Sequence, residues 1–262
     1  MRTSVIWVPV ACSLLLSACK WVKDSGVEGN GVVVEKTFDI LDTRCIKLNV
    51  PAEVFYTVSE VPSMTVRLDA NLMQYVKVSI DSTFFPPLEI GSTRPLRNVK
   101  EFTIFLSSSG LNSLHCSNGV RFKTKGLVGN KRSMVFMDIT RSANIEVDSL
   151  EAGSLRFSVM GGGSIIAHSV KAPYVDLSVV STGVLRKRGE VDATRVSLSG
   201  ESERVNVALS GLGEVDLTSL DYKLLNKKTV GRSMVFRSGK PSYKSEPVQS
   251  PNTGRWSEIG SK

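Results

Sequence analysis

The sequence predicts an all-β fold: a parallel β-helix, or solenoid, with two strands in each rung of about twenty residues. Three observations carry this. The first is a ten-residue beat between Lys131 and Lys240. Val135, Ile145, Leu155, Ile165, Val175, Leu185, Val205, Val215, Leu225 and Val235 are aliphatic, and Arg195 alone breaks the column. Hydrophobic residues make up 41% of the chain, so chance would fill about four or five of these eleven positions. The second is a column two residues earlier, small or turn-forming in most units, with Gly153, Gly163, Pro173, Gly183 and Gly213 among its members. The third lies two residues after the aliphatic column, where Met137, Val147, Phe157, Ala167, Leu177, Val207 and Leu217 are again apolar. Each unit therefore reads as a tight turn followed by a short strand with alternate side chains turned inward. Arg-Ser-Met-Val-Phe occurs at Arg132–Phe136 and again at Arg232–Phe236, ten whole periods later.

A ten-residue unit cannot bury a core alone, so units must stack. A helical repeat is excluded, because ten is neither seven nor eleven and glycine recurs from unit to unit. Residues twenty apart then stack at roughly 4.8 Å, and eleven units give about five rungs. On this count Val135, Leu155 and Val175 share one sheet, and Ile145, Ile165 and Leu185 the other. Arg195 marks a one-residue slip, with Val196 taking the inward place. Asp176 and Asp216 fall in one column, two rungs apart. The open ends of such a stack need covering. The lead-in is expected to cap one of them, with Ser242–Lys262 covering the other or trailing off.

Taken in order, the chain begins with Arg2 and the apolar run Val5–Leu16, the layout of a signal segment and too short to span a bilayer as a helix. Leu16-Ser17-Ala18-Cys19 resembles the bacterial lipobox. The resemblance implies removal of residues 1–18 and acylation of Cys19, and two or three acyl chains anchor stably where one does not. Lys20 in place of Asp favours the outer membrane. Residues 19–30, with Gly26 and Gly29, read as a spacer. Of the other cysteines, Cys12 leaves with the signal. Cys45 and Cys116 remain, either as a disulfide or as two buried thiols.

The lead-in, residues 31–112, carries strand-like runs at Val32–Val34, Ile46–Val50, Val54–Val58, Met64–Leu68, Val76–Ile80, Leu88–Ile90 and Phe102–Leu106. Pro51, Pro62, Pro86 and Pro87 fall between runs. Only Asp69–Tyr75 reads as a helical turn, with Asp69 as its N-cap. The order Gly29-Asn30-Gly31, Phe38-Asp39-Ile40, Val66-Arg67-Leu68-Asp69-Ala70-Asn71-Leu72 and Leu88-Glu89-Ile90 resembles the opening of the putative auto-transporter adhesin family with a head GIN domain, found mainly in Bacteroidetes. Ser210-Gly211-Leu212-Gly213 matches the family's Ser-Gly-x-Gly turn. Met160-Gly161-Gly162-Gly163, Val180-Ser181-Thr182-Gly183 and Val230-Gly231-Arg232-Ser233 are degenerate copies, and Ser238-Gly239-Lys240-Pro241 is similar to its closing Gly-x-Pro. Ser199–Arg204 and Leu220–Lys228 depart from the pattern. The resemblance implies a right-handed helix of two sheets, one domain over residues 31–241 with repeats at 113–241, then a tail at 242–262. It also implies an adhesin-like binding protein.

The formal charge is +8 and aromatics are 7% of the residues, with Lys and Arg scattered rather than clustered, so a nucleic-acid partner is not expected. No cofactor or metal pattern is present. The expected partners are the membrane, through the lipid, a glycan or protein ligand at the cell surface, and a second copy of the chain. Catalytic residues are not expected. The competing classes are a carbohydrate lyase or hydrolase on the same scaffold, which needs paired acids, and a structural or sensory envelope lipoprotein. One polar stack stands out: Asp148, His168 and Arg188, at successive rungs of one column. It reads first as an exposed charge ladder across strands and second as an anion site. His115 neighbours Cys116, but adjacent strand residues point to opposite faces, which argues against a nucleophile pair. Trp21, Trp256 and Tyr243 lie outside the repeats and give no stacking platform for sugars.

Overall fold

The structure is a computed structural model that describes residues 26–80, 87–128, 132–181, 194–231 and 233–237. The lead-in contributes Val27–Glu28 (β1), Val33–Phe38 (β2), Cys45–Asn49 (β3), Glu53–Val58 (β4), Ser63–Asp69 (β5), Val76–Ile80 (β6), Leu88–Ser92 (β7), Leu96–Arg97 (β8) and Phe102–Ser108 (β9). The repeats contribute Ser113–Ser117 (β10), Arg121–Val128 (β11), Met134–Thr140 (β12), Ala143–Glu151 (β13) and Ser154–Met160 (β14). Three long strands come next, Gly163–Val180 (β15), Thr194–Gly211 (β16) and Glu214–Gly231 (β17), and then Met234–Arg237 (β18). Among the described residues β1 pairs with β8, and the other strands form one large mixed sheet that closes no barrel.

That sheet is two ladders joined through the long strands. One ladder runs β7-β3-β10-β12-β14 and on through the second halves of β15, β16 and β17, all parallel. The other runs β9-β4-β11-β13 and on through the first halves of β15, β16 and β17 to β18, also parallel. The antiparallel pairs, β2–β5, β5–β9 and β6–β7, lie at the outermost lead-in strands. The lead-in is therefore continuous with the repeats: β3 and β4 extend the same ladders, and the antiparallel strands finish them.

Inward side chains stack in columns because parallel partners present the same face. Leu88, Ile46, Leu114, Met137, Phe157, Leu177 and Val207 form one such register row, every member buried. Ile104, Val54, Phe122, Ile145, Ile165, Val196 and Val215 form another in the second ladder. Val135 pairs with Leu155 and Leu155 with Val175, as the ten-residue beat predicts.

The beat misassigns the rungs beyond Val175. Ile165 pairs with Val196, not Leu185, and Val175 pairs with Val205. The stretch holding Leu185 lies outside the described residues and adds about one period between rungs. The spacing of aliphatic residues survives this, but the faces exchange. Val205 and Leu225 fall in line with Val175, while Val215 and Val235 come after Val196 in the other ladder. Asp176 and Asp216 consequently lie in different ladders: Asp176 pairs with Asn206, and Asp216 with Ser197.

One further expectation changes. Asp69 caps no helix, since the turn is a short 3-10 segment at Met73–Tyr75 without a side-chain cap. Instead the fully buried Asp69 carboxylate accepts hydrogen bonds from the backbone N–H of Gly31 at 2.5 Å and of Lys100 at 2.9 Å, tying the start of the lead-in to β5. Cys45 and Cys116 are free thiols. Cys116 pairs in register with Leu48, three residues along β3 from Cys45. That offset is about 10 Å of strand, beyond disulfide reach.

The last rung ends the core. In the inward rows Val207 is followed by Lys227 and Leu209 by Thr229, both exposed. Repeat stacks need a polar terminal unit of this kind, and inward-pointing charge blocks edge-to-edge pairing. Replacing both, Lys227→Val with Thr229→Val, is expected to make the protein self-associate. Light scattering should show mass rising with concentration well beyond that of the unsubstituted chain.

Candidate functional site

The solvent face of the second ladder carries an aromatic platform beside a groove. Alternation along Val54-Phe55-Tyr56-Thr57-Val58 turns Val54 and Tyr56 into the core and Phe55 outward. Phe55 pairs in register with Phe105 of β9, and the two rings stack at 5.6 Å between centroids with 17° between planes. They remain 37% and 42% exposed, a large apolar outlay on a face otherwise built of polar residues. Beneath them Tyr56 stacks on Phe122 at 5.8 Å, and the Tyr56 hydroxyl bonds Ser108 Oγ at 2.7 Å. Burial pushes that hydroxyl's pKa up, against the hydrogen bond from Ser108, which lowers it. The outer pair thus rests on a fixed inner pair.

The groove next to Phe55 has a volume of about 540 Å³, within the range of small-ligand sites, and is lined by Phe55, Thr57, Lys123, Lys125, Glu146 and Asp148 among others. Lys123 Nζ lies 5.9 Å from the Phe55 centroid and 3.0 Å from Glu53 Oε1. Glu146 and Asp148 share one face of β13, about 6.6 Å apart along the strand. The arrangement offers flat apolar faces, ammonium donors and carboxylate acceptors around a single depression. That suits a polyhydroxylated ring, which presents C–H groups to an aromatic face and hydroxyls to the rim.

Of the residues singled out in the sequence, Asp148 lines this groove and His168 stands exposed beside it. His168 meets Glu146, at 3.4 Å between Nε2 and Oε1. The twenty-residue offset between β13 and β15 is the same on both sides of this pair, Val147 with Ala167 and Leu150 with Val170, and the register shift between Ala167 and Val170 lies toward the next strand, β16. Arg188 and Cys19 lie outside the described residues, as do Trp21, Trp256 and Tyr243. The sequence marks neither Phe55 nor Phe105 as a site. Phe55 is legible as an outward residue, but its partner sits fifty positions away, which no local pattern records.

His115 gains partners on the other ladder that spacing does not reveal. Its Nδ1–H donates to Asp138 Oδ2 at 2.6 Å, and its Nε2 lies 3.3 Å from Thr140 Oγ1. Cys116 faces the core, where burial pushes its thiol pKa up, so it is no nucleophile for this imidazole. The order acid, imidazole, hydroxyl has the form of a proton relay. However, the three sit on a flat sheet whose backbone N–H groups are held in ladder pairing, and acyl transfer needs converging free donors. We read them as a cross-strand network. Among the described residues no His, Cys, Asp and Glu group has metal-ligand spacing. No described helix is long and apolar enough to cross a membrane.

Solved structures align with most of the chain. A putative adhesin from Bacteroides fragilis aligns with a TM-score of 0.54 at 14% identity, over 81% of this chain and 99% of its own. A putative adhesin from Parabacteroides merdae aligns at 0.45 with 19% identity, over 81% and 99%. A putative lipid binding protein from Parabacteroides distasonis aligns at 0.49 with 17% identity, over 80% and 98%. No curated protein matches the sequence. The family model for the putative auto-transporter adhesin, head GIN domain, matches residues 43–235. The chain belongs to that family.

Proposed function

We propose that the protein is a lipid-anchored, adhesin-like binding protein of the cell envelope, built as a right-handed parallel β-helix and holding a surface glycan on the Phe55–Phe105 platform without catalysis. The observation that carries this is the exposed, stacked aromatic pair beside a groove with charged rims. Two parallel ladders joined through continuous strands support the helical reading, and the sequence Leu16-Ser17-Ala18-Cys19 supports the anchor at the outer membrane. A rigid sheet pre-organises such a surface, so little ordering opposes association.

The test uses a soluble form, without residues 1–18 and with Cys19 replaced by Ser, on a glycan array and on envelope fractions. Binding to a defined glycan subset is expected, and Phe55→Ala or Phe105→Ala should weaken it about tenfold or more. Absence of binding across a broad array would count against the proposal. In the full chain, Cys19→Ser should move the protein from the membrane pellet to the soluble fraction.

One observation favours a second reading, a glycan-cleaving enzyme: Glu146 and Asp148 both line the same groove, and glycoside hydrolysis uses a pair of acids. Release of reducing ends from a bound glycan, abolished by Glu146→Gln, would establish it in place of passive binding.

A further inference from the structure

The Phe55–Phe105 platform is one end of a longer row. Across the second ladder Phe105 pairs with Phe55, Phe55 with Lys123 and Lys123 with Glu146. Glu146 pairs in turn with Ile166, Ile166 with Ser197, Ser197 with Asp216, and Asp216 with Phe236 of β18. From Phe105 to Asp216 each of these residues lies between two buried neighbours in its own strand, so each faces solvent. Parallel pairing puts Phe236 on the same face. Its neighbour Val235 packs against the core, and Phe236 itself is 43% exposed. The row therefore begins and ends in exposed aromatic rings. Phe55 and Phe236 lie about 29 Å apart along it, at about 4.8 Å for each strand crossed.

What lies between the rings narrows the ligand. Lys123 bonds Glu53 at 3.0 Å, and Glu146 meets His168 at 3.4 Å. Asp216 Oδ1 accepts from the N–H and the hydroxyl of Thr218, at 3.0 and 2.7 Å. In the adjoining row Arg195 bonds Glu214 at 3.3 Å. Groups already engaged in this way still offer spare donors and acceptors to hydroxyls, but little unmatched charge to an ionic ligand. A protein partner fits poorly. The row is a strip about 34 Å long and about 7 Å wide, an area of about 240 Å², against about 800 Å² per partner in a stable protein interface.

We propose that this row holds one extended polysaccharide chain, neutral and β-linked, laid across the strands with one sugar on the Phe55–Phe105 rings and another on Phe236. The inference rests on the glycan reading of the platform and adds the shape of the ligand: a chain gripped along its length, not a single terminal sugar. Each sugar advances such a chain by about one strand spacing, about 4.8 Å, so roughly seven sugars span the two aromatic contacts. The sugars between them meet the side chains of Lys123, Glu146, Ser197 and Asp216.

Calorimetric titration of the full chain, in a non-ionic detergent without a sugar headgroup, tests this with two neutral β-linked series: chitin oligomers and xylan oligomers of two to eight sugars. At least one series should bind, with affinity rising tenfold or more between the tetramer and the octamer. Phe236→Ala should abolish that rise while leaving disaccharide affinity and the melting temperature unchanged. Phe55→Ala should weaken every length. An octamer bound no more tightly than the disaccharide overturns the inference. So does a rise that survives Phe236→Ala, the result expected if the residues after Phe236 cover its ring. Binding on a glycan array without binding of either series also overturns it, and all three outcomes leave the glycan reading standing. A blank array together with no binding of either series at any length removes both.

Discussion

Phe157→Ala is expected to lower the stability of the fold by about 3–5 kcal/mol. Stabilities of single domains are about 5–15 kcal/mol, so this one change removes a large share. Phe157 is 1% exposed and sits in its inward row between Met137 and Leu177. A cavity costs most where its walls cannot collapse, and here they cannot. The flanking rungs are fixed about 4.8 Å away on each side by unbroken backbone pairing, so Met137 and Leu177 cannot close on the space left by the ring. Urea unfolding should show a lower midpoint. Arg156→Ala, one residue away on the solvent face, should shift it little. A loss below about 1.5 kcal/mol for Phe157→Ala would mean that the rungs relax far more than their pairing implies. Because rungs contact only their neighbours, the variant is also expected to broaden the transition, with the two ends of the stack unfolding less in concert.

The same geometry explains what is readable from the sequence. Inward columns are legible because a parallel stack repeats its environment at a constant interval, so Val135, Leu155 and Val175 announce one another. The exchange of faces beyond Val175 is not legible. An addition of about one period restores the phase, and nothing local distinguishes a half-rung from a detour of equal length. Ser199–Arg204 looks like a lapse in the repeat and is instead a corner, where the register shifts between Ser197 and Ser199 and Gly200 pairs with Val170. At the site, outward orientation is legible for Phe55 but its pairing with Phe105 is not. His115 and Asp138 are partners twenty-three residues apart, off the ten-residue count. Surface constellations depend on which strands become neighbours, and that information is non-local.

Gly200→Ala is expected to destabilise the protein by on the order of 4 kcal/mol, from backbone strain and overpacking together. Gly200 has φ +118°, a conformation that side-chain-bearing residues rarely adopt. A Cβ there would lie 2.2 Å from the carbonyl oxygen of Val170 and 2.5 Å from its nitrogen. Both contacts are backbone atoms of the adjacent long strand, which pairs with β13 and β16 on its two sides. No rotamer change can relieve them, so the corner itself must open. Gly91→Ala is the matched control. It lies in β7, has no positive φ, and has nothing within 4 Å of the added carbon. There the lost chain entropy of the unfolded state should leave stability unchanged or raise it by up to about 1 kcal/mol. Equal effects at the two positions would show that strand propensity, and not the tight corner, governs the response. A loss confined to Gly200 would locate the rigidity of the stack in its backbone turns, which is the property a binding surface carried on this scaffold requires.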